Sequence, residues 1–265
     1  MFFNFSPKIK QIGSFTLATI LLGAILSNSL ACRRNLSVIN GRETKYIRKP
    51  HKADPYFDKI YGHGIDLSHH NADPDWELLD IDFIILKASE GSSYKDPTFS
   101  LRAEKSRNQG IFVGAYHFFT GTDNADKEFD NFNKVIKGKI DIIPVIDIER
   151  KPKKVSRKEF NNRFLKFMMN IKKEYGVYPI IYTSEGFYYI FLKELVETKL
   201  KNENQSPILW FGDVGQEYKK YNLTPHIHQK EIKKIKGTKG KVDFNELHCE
   251  LDKILLKPKN KISEK

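Results

Sequence analysis

The chain has 265 residues, of which 40% are hydrophobic, and it carries a formal charge of +12 from 45 Lys and Arg against 33 Asp and Glu. This length is enough to bury a full core, in one β/α barrel or in two smaller domains. A basic surface favours anionic partners. The sequence contains no zinc-finger spacing, glycine-rich phosphate loop or aromatic RNA-binding motif, so we expect an anionic polysaccharide or cell wall as partner and no nucleic acid.

Residues 1–31 have the composition of a secretory signal peptide, in which two lysines precede an apolar run over residues 15–26 and small residues follow. The run is shorter than the roughly 20 residues that span a membrane. Cys32 comes directly after this segment, as in a bacterial lipobox, although Ser29 stands where the usual pattern has Leu. We therefore predict an exported lipoprotein of a bacterial cell envelope, anchored in the membrane through Cys32, or a secreted protein if Cys32 is not lipidated.

Polar, lysine-rich segments flank the central part of the chain. Residues 32–60 show no sustained apolar period, which predicts a basic tether after the lipidated cysteine. Residues 253–265 also lack a core-forming face, which predicts a loose basic tail. We expect one monomeric domain over residues 61–252.

Strands and helices alternate from residue 62 onwards. The predicted strands are 65–68, 83–88, 111–117, 141–150, 179–182, 208–211, 226–229 and 242–244, and the predicted helices are 98–108, 126–136, 156–175 and 186–196. Such alternation is typical of parallel strands joined by βαβ crossovers. Because some connections are too short for a helix, the pattern favours an irregular, single-domain α/β barrel over an open sheet.

The strand over residues 141–150 ends in two acids, Asp147 and Glu149. Residues i and i+2 of a strand point to the same face, with Cα atoms about 6.6 Å apart. The carboxyl ends of parallel strands are where ligands and catalytic groups lie. A carboxyl pair about 5 to 9 Å apart is typical of glycoside hydrolysis. The alternative is a strand that runs into solvent, with its acids paired to Lys or Arg.

Polar residues follow or close most of the predicted strands, and a barrel would bring them to one mouth. They are Asp66, Glu90, His117, Asp147, Glu149, Tyr182, Asp213, Gln229 and Asp243. Each also has a purely structural interpretation. Glu90 could pair with Lys87, and His117 could be a hydrogen-bonded core histidine.

Seven short motifs carry a resemblance to the glycoside hydrolase family 25 lysozymes of the Chalaropsis type, over about residues 61–251. The motifs are Gly64–Ser68, Phe83–Gly91, Gly114–Phe118, Pro144–Glu149, Tyr182–Ser184, Leu209–Trp210 and Val242–Asn245. The resemblance implies an N-acetylmuramidase that cuts the β-1,4 bond between N-acetylmuramic acid and N-acetylglucosamine in peptidoglycan. It also implies an irregular β/α barrel without a metal or an organic cofactor.

Residue roles follow from the same resemblance. Glu149 would be the general acid, and Asp66 and Asp147 the other catalytic carboxylates, acting as nucleophile or orienting the substrate's acetamido group. The residues expected to bind substrate are Glu90, Tyr116, His117, Tyr182, Trp210, Gln229 and Asp243. The chain departs from the family at Asn71 and His228, where Gln and Trp are frequent. The loss of Trp at position 228 removes a possible sugar platform, which would affect substrate affinity more than chemistry.

Two other classes of function stay open on the sequence. One is a non-catalytic, peptidoglycan-binding lipoprotein on the same barrel, although the acidic set is intact. The other is a metal-dependent polysaccharide deacetylase that uses His69 and His70 near Asp66, although no spaced His pair with a matching Asp supports a metal triad.

Overall fold

The computed structural model describes residues 36–39, 42–45, 59–212, 221 and 223–257, with only the backbone described for the first two ranges. The predicted signal peptide, Cys32, Asp213 and residues 258–265 lie outside the described residues. Strands β1 (Leu36–Ile39) and β2 (Arg42–Lys45) pair antiparallel within the segment that the sequence predicted as a tether. Among the described residues, no helix combines the length and the apolar character that crossing a membrane requires.

Eight strands close into a barrel, and one short strand extends the sheet. Neighbours follow the order β3-β11-β10-β9-β8-β7-β6-β4-β5, and β3 also pairs with β4, which closes the ring. The strands are β3 (Gly62–Leu67), β4 (Phe83–Glu90), β5 (Tyr94–Lys95), β6 (Phe112–Phe118), β7 (Val145–Asp147), β8 (Ile180–Thr183), β9 (Ile208–Phe211), β10 (Ile227–Lys233) and β11 (Val242–Leu247). The predicted irregular α/β barrel is confirmed.

The last barrel strand breaks the parallel pattern. The strands β3, β4 and β6 to β10 run parallel to one another, whereas β11 pairs antiparallel with both β10 and β3. Residues 234–241, which join β10 to β11, are too few for a helical crossover of a dozen or more residues. A hairpin is therefore the connection that this length permits.

Helices cover the outside of the barrel. They are α1 (Phe99–Asn108), α2 (Ala125–Ile136), α3 (Arg157–Tyr175), α4 (Glu185–Phe187), a π-helical turn (Tyr188–Leu192), α5 (Lys193–Lys201) and a 3₁₀ turn (Leu251–Lys253). The longest helix has clear local signals at both ends. The Ser156 hydroxyl accepts the Glu159 N–H, and Gly176, at φ 77°, ends the helix in the left-handed region where glycine is favoured.

The folded domain extends past the boundary that the sequence predicted. Ile254 and Leu255 are 0% and 3% exposed, and Leu255 forms a β-bridge with Ile142. Both side chains pack with the apolar residues inside the barrel, such as Val145 and Ile180. The expected loose tail therefore does not begin directly after Asp252. Two apolar residues carry too little periodicity to predict this contact from sequence.

Candidate active site

A small polar pocket lies at the carboxyl ends of the parallel strands. Its volume is about 200 Å³. The lining residues are Asp66, Tyr116, Asp147, Glu149, Tyr182, Trp210, Gln229 and Asp243, and the sequence predicted all of them as site residues. Side chains alternate along each strand, so one residue in two points into the barrel. Every barrel strand except β4 therefore contributes a side chain to the same space.

Asp147 and Glu149 occupy different environments within this pocket. Asp147 is the last residue of β7 and is 7% exposed, and its Oδ1 atom has no hydrogen-bond partner among the described residues. Burial raises the pKa of Asp147 well above its usual value, and the charges of Glu149 and Asp66 raise it further. Glu149 follows the strand and is exposed at the mouth. The surroundings of Asp147 therefore favour its neutral form.

Asp66 lies across the pocket on β3. Its Oδ2 atom accepts hydrogen bonds from Gln229 Nε2 at 3.1 Å and from Asn245 Nδ2 at 2.8 Å. Burial and the charge of Asp243, directly opposite on β11, raise the pKa of Asp66 to about 7, while the two amide hydrogen bonds lower it. Burial also raises the pKa of Asp243. Asp66 can therefore change its charge near neutral pH.

Two further hydrogen bonds fix the amides that hold Asp66. The Tyr182 hydroxyl donates to Gln229 Oε1 at 2.9 Å, and Trp210 Nε1 donates to Asn245 Oδ1 at 2.9 Å. With their oxygens occupied, both amides present an N–H to the carboxylate. Gly212 permits this packing, because a Cβ there would lie 2.2 Å from the Tyr182 hydroxyl.

Asn245 is the residue at this site to which the sequence assigned no role. It is fully buried and bridges Trp210 to Asp66. A signal was present, because Asn245 stands two positions after Asp243 and one residue beyond the predicted strand, so a slightly longer strand puts both on one face. Trp210 is only 2% exposed, so it offers little surface to a sugar and acts on the site through Asn245.

Two predicted site residues lie elsewhere. The side chain of His117 points away from the barrel interior; Nδ1 is 2.9 Å from Ser89 Oγ, and Nε2 is 3.2 Å from Glu128 Oε2. Burial lowers the pKa of His117, and its ring stacks on Phe167. The prediction that His117 lines the cleft is wrong, because the neighbouring Tyr116 takes the inward position. Glu90 does not line the pocket either, and it pairs with Lys87 at 2.7 Å.

The groups that could ligate a metal face away from this pocket. Among the described residues, His228, Glu246 and His248 bring ligand atoms within 4.8 Å of one another. The Lys230 ammonium already lies 3.0 and 3.1 Å from the two Glu246 oxygens. His228 neighbours the inward-facing Gln229 in β10, so it points outwards. This group does not include His69, His70 or Asp66, the residues on which the deacetylase alternative was based.

Comparison with known proteins matches this chain to a protein family and to individual relatives. The model of glycosyl hydrolases family 25 matches residues 65–232. The uncharacterized protein YegX of Escherichia coli K12 is 32% identical over 136 residues, which are 48% of this chain and 50% of YegX. Lysozyme M1 of Streptomyces globisporus is 35% identical over 97 residues, which are 34% of this chain and 33% of that protein. The chain thus matches about half the length of YegX and a third of lysozyme M1.

A solved structure agrees with the barrel topology. The family 25 glycosyl hydrolase of Bacillus anthracis superposes with a TM-score of 0.64 at 20% identity, covering 78% of this chain and 95% of that one. At this identity the likeness concerns the fold. The family match covers more than half of the chain and includes the strands that carry Asp66, Asp147 and Gln229. The chain therefore belongs to glycosyl hydrolase family 25.

Proposed function

We propose that the protein is a lysozyme-type peptidoglycan hydrolase that cuts the β-1,4 bond between N-acetylmuramic acid and N-acetylglucosamine. The observation that carries this proposal is the meeting of four carboxyl groups, those of Asp66, Asp147, Glu149 and Asp243, in one pocket at the mouth of the barrel. Glycoside hydrolysis requires one carboxyl that donates a proton and one that stabilises positive charge at the anomeric carbon. The relationship to lysozyme M1 supports the same class of substrate.

Glu149 is the proposed general acid. It is the exposed carboxyl at the mouth, where the glycosidic oxygen of a bound glycan strand would lie. A glycan strand that covers the cleft excludes water from the surroundings of Glu149. Glu149 gives its proton to the leaving oxygen as the bond to the anomeric carbon breaks, and water later supplies the proton that restores it.

Asp66 and Asp147 are the proposed partners of Glu149. Asp66 is the better candidate to face the developing positive charge, because two amide N–H groups stabilise its ionised form. Asp147, whose pKa burial raises, would orient the acetamido group, as a hydrogen-bond donor in its neutral form. This assignment is compatible with attack by Asp66 itself and with attack by the acetamido oxygen. Asp243 would position the sugar.

The proposed setting is the bacterial envelope. Export through the signal peptide and acylation of Cys32 would hold a monomeric enzyme at the membrane surface, next to its polymer. An anionic membrane surface would also attract the basic segment that follows Cys32.

Mass spectrometry of digested peptidoglycan tests the proposal directly. We expect fragments that end in a reducing N-acetylmuramic acid, produced by the wild-type protein and not by Glu149→Gln. Fragments that end in reducing N-acetylglucosamine would place the cut at the other bond. Sedimentation with peptidoglycan without release of any reducing end would instead support the non-catalytic binding protein.

A further inference from the structure

The turn between β10 and β11 carries an unusual concentration of positive charge. Residues 230–241 contain six lysines and one glutamate. Lys230 pairs with Glu246, and Lys233 pairs with Glu231. The other four are exposed and form no ion pair with any described residue: Lys234, Lys236, Lys239 and Lys241. We call residues 234–241 the lysine turn.

The strand register places the lysine turn at the mouth of the acidic pocket. Asp243 is paired with Ile232, and the next pair, Val242 with Lys233, is the last before the turn. Asp243 also lies directly opposite Asp66 on β3. The turn therefore begins one residue beyond the carboxylates, on the face of the barrel where a polymer strand would enter.

Local contacts hold the lysine turn in place. The Asp75 N–H donates to the Gly237 carbonyl at 2.7 Å, and a Cβ on Gly237, at φ +90°, would lie 2.9 Å from the Asp75 carbonyl oxygen. The Thr238 hydroxyl bonds to both backbone groups of Ile235. Ile235 packs against the main core. Four like charges are thus held together on a fixed backbone, where they repel one another unless an anion is present.

We propose that the lysine turn binds the anionic groups carried by the polymer strand in the cleft, and so selects charged wall over uncharged glycan. The proposal rests on the proposed function, since it takes peptidoglycan as that polymer. A cluster of ammonium groups binds oxyanions. In the wall these are the carboxylates of stem peptides or the phosphodiesters of polymers attached to the wall. A turn fixed in advance loses little backbone entropy when it binds.

The test compares two triple variants in an inactive Glu149→Gln background, so that binding is measured without turnover. One carries Lys234→Gln, Lys236→Gln and Lys239→Gln. The matched control carries the same change to Gln at the exposed lysines Lys134, Lys173 and Lys201. These lie in the last turns of α2, α3 and α5. Helices of a β/α barrel run back along the strands, so these ends lie away from the mouth. Both variants have the same net charge.

We expect the turn variant to sediment with intact wall about tenfold more weakly than the parent at 0.1 M salt, and the control to differ little. The difference should vanish at 1 M salt, where the Debye length falls from about 10 Å to about 3 Å. Wall stripped of phosphate polymers and wall with amidated carboxylates identify which anion is bound. Equal weakening of both variants, or none, would overturn the proposal. If the turn variant binds wall more weakly but the wild-type protein has no muramidase activity, only the proposed function is refuted.

Discussion

Replacing Asp66 with Asn should make the protein more stable at alkaline pH, although it removes a carboxylate that we propose to be catalytic. The pKa of Asp66 is about 7 in the folded protein against 3.8 for an ordinary aspartate. The folded state therefore binds a proton more tightly than the unfolded state does. Between about pH 4 and pH 7 the free energy of unfolding falls as pH rises, because unfolding releases the proton.

The difference in pKa sets the upper limit of this effect. At about 1.36 kcal/mol per pKa unit, the shift from 3.8 to about 7 corresponds to about 4 kcal/mol of stability lost by pH 8. This is a large share of the 5–15 kcal/mol that typically separates folded from unfolded domains. The amide introduced by Asp66→Asn would keep an oxygen that accepts from Gln229 and Asn245, and it cannot ionise. The substitution should therefore recover up to about 4 kcal/mol at pH 8 and change little at pH 4.

Urea denaturation at pH 4 and pH 8, followed by circular dichroism, measures this effect. The wild type should lose stability between the two pH values to a greater extent than Asp66→Asn does. Asp130→Asn, an exposed aspartate on α2 that forms no ion pair with any described residue, serves as a matched control with no differential effect expected. A variant that is equally or less stable than the wild type at pH 8 would refute the reasoning that burial of this carboxylate is costly.

Three further predictions concern catalysis and anchoring. Glu149→Gln should fold normally and lose about 10²- to 10⁴-fold in rate of reducing-end release, and a near wild-type rate would remove Glu149 from the acid role. If Asp66 acts as an ion, the rate should fall as pH drops through about 7. Asn245→Leu removes a hydrogen bond that lowers the pKa of Asp66, so it should move this acidic limb of the pH–rate profile to higher pH. A limb that does not move would belong to another group. Cys32→Ser should move the protein from the membrane to the soluble exported fraction, which cell fractionation measures, and an unacylated native protein by intact mass would contradict the lipid anchor.

Local rules determined much of this protein from its sequence. The alternation of apolar strands and amphipathic helices predicted the barrel, because each element buries a face whose period is set by its own backbone geometry. The i, i+2 spacing of Asp147 and Glu149 placed both at one strand end. The carboxyl ends of parallel strands share one edge of a barrel, and this rule placed Asp66 at the mouth. Asp243 reaches the mouth for a different reason, because β11 runs antiparallel and Asp243 lies near its start.

Only the tertiary structure decided which way several side chains face and what they contact. Whether Tyr116 or its neighbour His117 points into the barrel depends on the register of β6 against β4, which a bulge between Lys87 and Ser89 shifts. The partnership of Asn245 with Asp66 joins residues that are 179 positions apart. It exists because β11 turns back and closes the barrel against β3, a pairing that carries no local signal. The raised pKa of Asp66 has the same origin, because burial depends on the whole fold.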